Sequence, residues 1–143
     1  MLAAVGAQYA FYRTRWTRGL TTRDCIARAH ALVHTSRMEG GANVVIEAVR
    51  SRVPVLASRI DGNVGLLGAG YDGYFAVGDA AALTALMQRF AAEPAFAAHL
   101  AAQCALREAL FTPEAEAASV KGLLHDMLAQ DATMQASEKD PTP

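Results

Sequence analysis

The sequence predicts an α/β fold: a short parallel sheet with flanking helices and a helical C-terminus. Three observations predict it. Ala31–Thr35 and Pro54–Ser58 are short apolar runs with β-branched residues, the pattern of buried strands. The segment between them, SRMEGGANVVIEAVRSR, holds a glycine break and then a helix-length stretch. Strand, loop, helix and strand at this spacing make a βαβ unit, whose strands are parallel. Beyond Asp79 the chain is rich in alanine and reads as successive helices.

The elements follow in order. Residues 1–20 hold Gln8 and the basic-aromatic stretch Tyr9–Trp16, read as a short helix and then a partly buried strand. Thr21 or Thr22 caps a helix to about His30, because a threonine hydroxyl accepts a bond from a free first-turn N–H and Asp24 suits the positive end of the helix dipole. After the first strand of the βαβ unit, Gly40–Gly41 break the chain and Asn43 caps a helix to about Ser51. Gly62, Gly65, Gly68, Gly70, Gly73 and Gly78 mark an irregular loop, with one helical turn at Val64–Leu67 and a short strand near Tyr74–Val77. Asp79 caps a helix to about Ala92, and Pro94 restarts one through Leu110. Thr112–Pro113, a cap followed by a first-turn proline, opens a last helix to about Ala129. The polar end QDATMQASEKDPTP reads as a disordered tail, so the expected organisation is one domain over 1–129 and a tail over 130–143.

Composition narrows the function classes. The 143 residues suffice for one domain with one core. A formal charge of −1 and a pI near 6.4 give no global reason to expect nucleic acid as a partner. Basic residues nonetheless dominate through Ser58 and acids beyond it, so the front half presents either a solvated arginine face or a surface for an anionic ligand or partner domain. Cys25 and Cys104 stand far apart with no CxxC or Cys/His cluster, so no metal is expected and free thiols in a reducing cytoplasm are the reading. No apolar run approaches the ~20 residues that cross a bilayer. The first fifteen residues lack a charged segment followed by a sustained apolar core, so no signal peptide is read.

The chemistry concentrates between Ser36 and Ser58. Glu39 and Glu47 are separated by seven residues. With a helix beginning near Ala42, Glu39 lies on the loop before it and Glu47 about one turn inside. A helix N-terminus presents unpaired N–H groups and a partial positive charge, a setting for phosphate. Gly40 and Gly41 have no side chain to keep a ligand away from it. Carboxylates repel phosphate and so belong on hydroxyls beside it. A diphosphate flanked by two polyols meets both demands, and a nucleotide sugar is such a ligand. In an α/β sheet this site lies at the carboxyl ends of the strands, where Thr35–Ser36 enters the loop. Spacing alone also fits an ordinary first-turn glutamate and an exposed loop glutamate.

The residues around the two glutamates carry a resemblance. SRMEGGANVVIEAVRSRVPVLAS resembles the E-x7-E signature of the family 4 retaining glycosyltransferases, two-domain Rossmann-like enzymes of the GT-B fold; Ser36, Glu39, Glu47, Ala48, Pro54 and Val55 match it in order. The resemblance implies a partial Rossmann-like, donor-binding C-terminal domain. It implies that Glu47 binds the nucleotide ribose, and that Glu39 with the backbone of Gly40, Gly41, Ala42 and Asn43 holds the donor sugar and diphosphate, Glu39 nearest the reacting centre. The donor is then a UDP-sugar substrate, with no cofactor. A narrower resemblance runs over about residues 22–112: SRMEGGANVVIEAV, ASRIDGNVGLLG and YDGYFAVGD are similar to the selenosugar synthases of selenoneine biosynthesis, which are understood to join UDP-N-acetylglucosamine to selenophosphate.

Two positions depart from the pattern. Arg52 stands where the family usually has glycine at a helix-to-strand turn; a left-handed arginine there costs about 1 kcal/mol. His34 replaces a small or proline residue and is read as a strand-end histidine. The resemblance also implies an N-terminal acceptor domain, and an Arg/Lys pair that neutralises the leaving diphosphate. Arg13, Arg15 and Arg18 are not assigned that role. The chain is read as a C-terminal fragment, little active without the missing domain or a companion chain. The last helix, with Leu123, Leu124, Met127 and Leu128 on one side, is expected to leave part of that face exposed. The rival reading is a non-catalytic binding or interaction domain. A dinucleotide-binding oxidoreductase fits less well, because GNVGLLG has neither the GxGxxG spacing nor a long helix behind it.

Overall fold

The structure, a computed structural model, describes residues 21–138. The helix and strand expected within 1–20 lie outside the described residues, as do Arg13, Arg15 and Arg18. The chain forms two compact units, Met1–Glu108 and Ala109–Pro143.

The first unit runs α1 (Thr22–Ala27), β1 (Leu32–His34), α2 (Asn43–Arg50), β2 (Val55–Ser58), α3 (Asp61–Leu67), β3 (Tyr74–Phe75), α4 (Ala80–Ala92) and α5 (Pro94–Ala105). The three strands form one parallel sheet in the order β1-β2-β3. Leu32 pairs with Val55, His34 with Ala57, and Ser58 with Phe75. All four residues of β2 are buried, as befits a central parallel strand covered on both faces. This is the mixed α/β architecture expected, a partial Rossmann-like domain.

Local sequence explains most boundaries. Thr21 caps α1 in a capping box: its hydroxyl accepts from the Asp24 N–H, and the Asp24 carboxylate accepts from the Thr21 N–H. Asp79 caps α4 through the Ala82 N–H at 2.8 Å. Val45, Ala48 and Val49 place the apolar face of α2 in the core at i, i+3 and i+4, where α2 meets β1 and β2. Each of the two fully buried valines contributes about 1.5–3 kcal/mol. The same helix ends in a Schellman motif: Arg52 N–H donates to Val49 carbonyl and Val53 N–H to Ala48 carbonyl, each at 2.9 Å. Arg52 takes φ +57°, so the left-handed geometry expected of a glycine is kept by an arginine.

Several boundaries differ from expectation. The N-cap of α2 is Ala42, not Asn43, and it supplies no side-chain hydrogen bond. Ala42 is buried while Asn43 is exposed, so packing sets the extended residue one position earlier. The glycine-rich stretch contains a full helix, α3, because Asn63 and Leu67 bury one of its sides. α5 stops at Ala105 rather than Leu110: the next residues turn so that the Arg107 guanidinium donates to the Leu66 and Gly65 carbonyls, at 3.0 and 2.8 Å. This satisfies the carbonyl end of α3 and cannot be read from local pattern.

A 3₁₀ turn, Glu108–Phe111, spans the boundary between the units. In the second unit α6 runs from Pro113 to Glu138, with the Thr112 hydroxyl accepting from the Ala115 N–H at 3.1 Å. It passes the expected end at Ala129, so residues 130–138 are helical where a disordered tail is expected. AQDATMQASE has good helix formers and no glycine or proline to stop it. Leu123, Leu124, Met127 and Leu128 are exposed on it. No helix among the described residues is long and apolar enough to cross a membrane.

Candidate functional site

The carboxyl ends of β1 and β2 lie side by side and release two loops in the same direction. The first carries Ser36 to Ala42 into α2; the second, Arg59–Ile60, enters α3. Backbone and side-chain bonds tie them together. The Ser58 hydroxyl donates to the Ser36 carbonyl at 2.6 Å, and the Asn63 amide donates to the Ser58 carbonyl at 2.8 Å. Asn63 is fully buried and Ser58 nearly so. Gly62 completes the frame. A Cβ there would overlap the Glu39 carbonyl oxygen and sit 2.9 Å from its carbonyl carbon, so only glycine lets α3 approach this loop.

Upon that frame sits the Glu39 carboxylate. The Ser36 hydroxyl donates to Glu39 Oε1 at 3.0 Å, and Ser36 Oγ lies 3.2 Å from His34 Nε2. His34 Nε2 is itself 4.0 Å from Glu39 Oε1. Burial pushes the His34 imidazole below its ordinary pKa; the Glu39 carboxylate and the Asn63 side chain pull it the other way. Among the buried atoms without a hydrogen-bond partner are His34 Nδ1 and Asn63 Oδ1. The Asn63 side chain thus favours a protonated ring without standing in hydrogen-bonding geometry to it.

An open cavity of about 300 Å³ adjoins this network, lined by Arg37, Met38, Glu39, Ile60 and Asp61. Its lining residues include two acids and one arginine, residue types able to meet hydroxyls and an anion.

The sequence-predicted residues divide. Ser36 and Glu39 are brought together directly. Gly40 and Gly41 have nothing within 4 Å of where a Cβ would stand, so internal packing does not demand glycine at either position. Ala42 and Asn43 form the start of α2, and Ala42 offers no side-chain cap. Glu47 lies one turn inside α2, half-buried, and its Oε2 is a buried oxygen with no hydrogen-bond partner. It does not line the 300 Å³ cavity. Residues that sequence reasoning missed are Arg37 and Asp61 at the cavity and Ser58, Gly62 and Asn63 in the frame. The signal for the last two was the run DGN, two residues after β2 and inside the stretch ASRIDGNVGLLG, at a strand end where α/β sheets build sites.

Residues 14–105 match the family model described as glycosyl transferases group 1. The chain belongs to this family. The match ends at Ala105, the last residue of α5, and so lies within the first compact unit and includes its strand-end site. The family is one of glycosyl transferases of the GT-B class, which matches the parallel sheet and the flanking helices. No curated protein matches the chain.

Proposed function

We propose that the first unit is the donor-binding part of a retaining glycosyltransferase and that its ligand is a nucleotide sugar, in the narrower reading UDP-N-acetylglucosamine. The observation that carries the reading is the Ser36–Glu39 pair: a carboxylate held by a hydroxyl at the edge of an open cavity, beside a helix start that has no side-chain cap. In this reading Glu39 accepts hydroxyls of the sugar nearest the reacting carbon. Gly40, Gly41, Ala42 and Asn43 let the diphosphate approach the first N–H groups of α2. Glu47, with a buried oxygen still unpaired, accepts from the ribose.

Transfer breaks the bond between the anomeric carbon and the diphosphate oxygen, and the electron pair leaves with the diphosphate. The acceptor then bonds to the same face of that carbon. Charge growing on the leaving group is what a fixed cation stabilises, and Arg37 at the cavity is the cation nearest to that task among its lining residues. The acceptor comes from a companion domain or chain, and resemblance to the selenosugar synthases makes selenophosphate the acceptor to try first. Free thiols at Cys25 and Cys104 support a reducing compartment such as the cytoplasm.

Calorimetry with UDP and UDP-N-acetylglucosamine tests the reading. Wild-type chain is expected to bind both. Glu47→Ala removes a charged partner of the ribose and weakens both by about tenfold or more. Glu39→Gln weakens the sugar nucleotide more than UDP. Absence of binding, or binding unmoved by Glu47→Ala, would overturn the proposal and leave a fold without a donor site.

A further inference from the structure

Ser36 has one hydroxyl hydrogen and two neighbours that can accept it, Glu39 Oε1 at 3.0 Å and His34 Nε2 at 3.2 Å. A hydrogen bond to an ionised carboxylate is roughly twice as strong as one between neutral groups. The hydrogen therefore goes to Glu39, and Ser36 Oγ is left as an acceptor facing the ring. His34 must then present Nε2–H to it. A neutral ring protonated at Nε2 carries a bare Nδ1, and Nδ1 is one of the buried atoms with no partner. Of the two ring nitrogens, Nε2 is the one within hydrogen-bond distance of a partner, Ser36 Oγ, while the Asn63 side chain favours the protonated ring without meeting that geometry.

We propose that His34 is a positioning residue: buried at the end of β1, it donates from Nε2 to the Ser36 hydroxyl, which turns that hydroxyl's hydrogen onto Glu39 and fixes the carboxylate at the cavity. The inference rests on the reading of Glu39 as a donor-site residue only for its functional consequence; the hydrogen-bond relay stands on the geometry. His34 is 4% exposed and Ser36 is half-buried, so water does not readily replace the ring as donor. The frame behind the relay is fixed as well, because the Ser36 carbonyl accepts from Ser58 at 2.6 Å. Without the ring, the Ser36 hydroxyl would lose the donor that selects its rotamer, and Glu39 would gain freedom to swing.

The relay is read by the tautomer of His34 in ¹H–¹⁵N correlation spectra of the labelled full chain. Wild type is expected to show Nε2–H and bare Nδ1. Glu39→Ala removes the preferred acceptor, so the Ser36 hydrogen turns to Nε2 and the ring moves its proton to Nδ1. Ser36→Ala is expected to abolish the response of the ring to Glu39→Ala. A wild-type ring with Nδ1–H, or a tautomer indifferent to Glu39→Ala, would overturn the relay whether or not a nucleotide binds. The consequence is read in affinity for UDP-N-acetylglucosamine. His34→Gln keeps a donor near the Nε2 position and is expected to hold affinity within about twofold, while His34→Leu lowers it by about tenfold. Equal loss in both variants, with each folded by its amide spectrum, would assign His34 to packing alone. Failure of donor binding in wild type, with the tautomer switch intact, refutes the proposed ligand and leaves the relay standing.

Discussion

Two glycines of one helix should respond to alanine in opposite directions. Gly62 and Gly65 both lie in α3. A Cβ on Gly65 meets nothing within 4 Å, so Gly65→Ala only gains helix propensity and removes backbone freedom from the unfolded chain. That gain is about 0.5–1 kcal/mol. A Cβ on Gly62 overlaps the carbonyl oxygen of Glu39 and approaches its carbonyl carbon to 2.9 Å and the Gly40 carbonyl oxygen to 3.3 Å. These are backbone atoms of a loop tied down by Ser58 and Ser36, so no flexible side chain can yield in their place. Overpacking of this kind costs about 1–3 kcal/mol; helix propensity returns only a fraction. Gly62→Ala is thus expected to destabilise by about 1–2 kcal/mol net, and to move the Glu39 loop off α3. Urea unfolding of the three proteins measures the stabilities, and amide shifts of residues 38–41 report the loop. A Gly62→Ala midpoint equal to that of Gly65→Ala, with those shifts unmoved, would refute the close approach of α3 to the loop.

Arg52→Gly removes left-handed strain at φ +57° worth about 1 kcal/mol and gives up an exposed ion pair to Glu108, worth about 0–1 kcal/mol. The expected result is a small gain in urea stability, largest in high salt where the pair is screened; a clear loss under those conditions would contradict it. Tyr71→Phe deletes a buried hydroxyl that accepts from the Val55 N–H at 3.0 Å and donates to the Val55 carbonyl at 2.6 Å, so both groups of a central strand are left unpaired. The expected loss is about 1–3 kcal/mol, and a melting temperature unchanged from wild type would show that water fills the gap. Burial holds His34 below the ordinary imidazole value of 6.5, so as the pH falls the unfolded chain takes up the proton first. The contribution is fully present above that value and is lost as the pH drops through the folded-state pKa; melts at about pH 7.5 and about pH 5.5 should show a decline that His34→Gln reduces. Equal declines in the two proteins would place the proton elsewhere.

The parts of the fold that were legible in the sequence are those decided within a few residues. The β1-α2-β2 unit follows from two apolar runs and the glycine break between them. Thr21, Asp79 and Thr112 each cap a helix where a short polar residue precedes a helix-forming run. Arg52 could be assigned a left-handed turn because the resembled family usually has glycine at that helix end, and the structure keeps the geometry at φ +57°. The errors arise where partners distant in sequence decide. Arg107 turns away from α5 to close the end of α3, forty-odd residues earlier along the chain, by bonds to Leu66 and Gly65. Val55 lacks a β3 residue beside it and takes the Tyr71 hydroxyl instead. Neither bond leaves a local signature.

The site divides along the same line. Glu39, Ser36 and Glu47 were visible because a motif fixes their spacing, and spacing survives in sequence. What holds Glu39 in place was not visible, because Ser58, Gly62 and Asn63 come from the neighbouring strand and helix. His34 shows why a departure from pattern repays physical reading. As a strand-end histidine it would need only to fill space, and a buried imidazole is a poor space filler because its two nitrogens must be satisfied. One of them is left without a partner and the other meets Ser36. An unpaired buried nitrogen is a standing cost that a leucine at this position would avoid. The bond through Ser36 to Glu39 supplies a reason to bear it, and ties a residue that sequence assigns to the core to the geometry of the cavity.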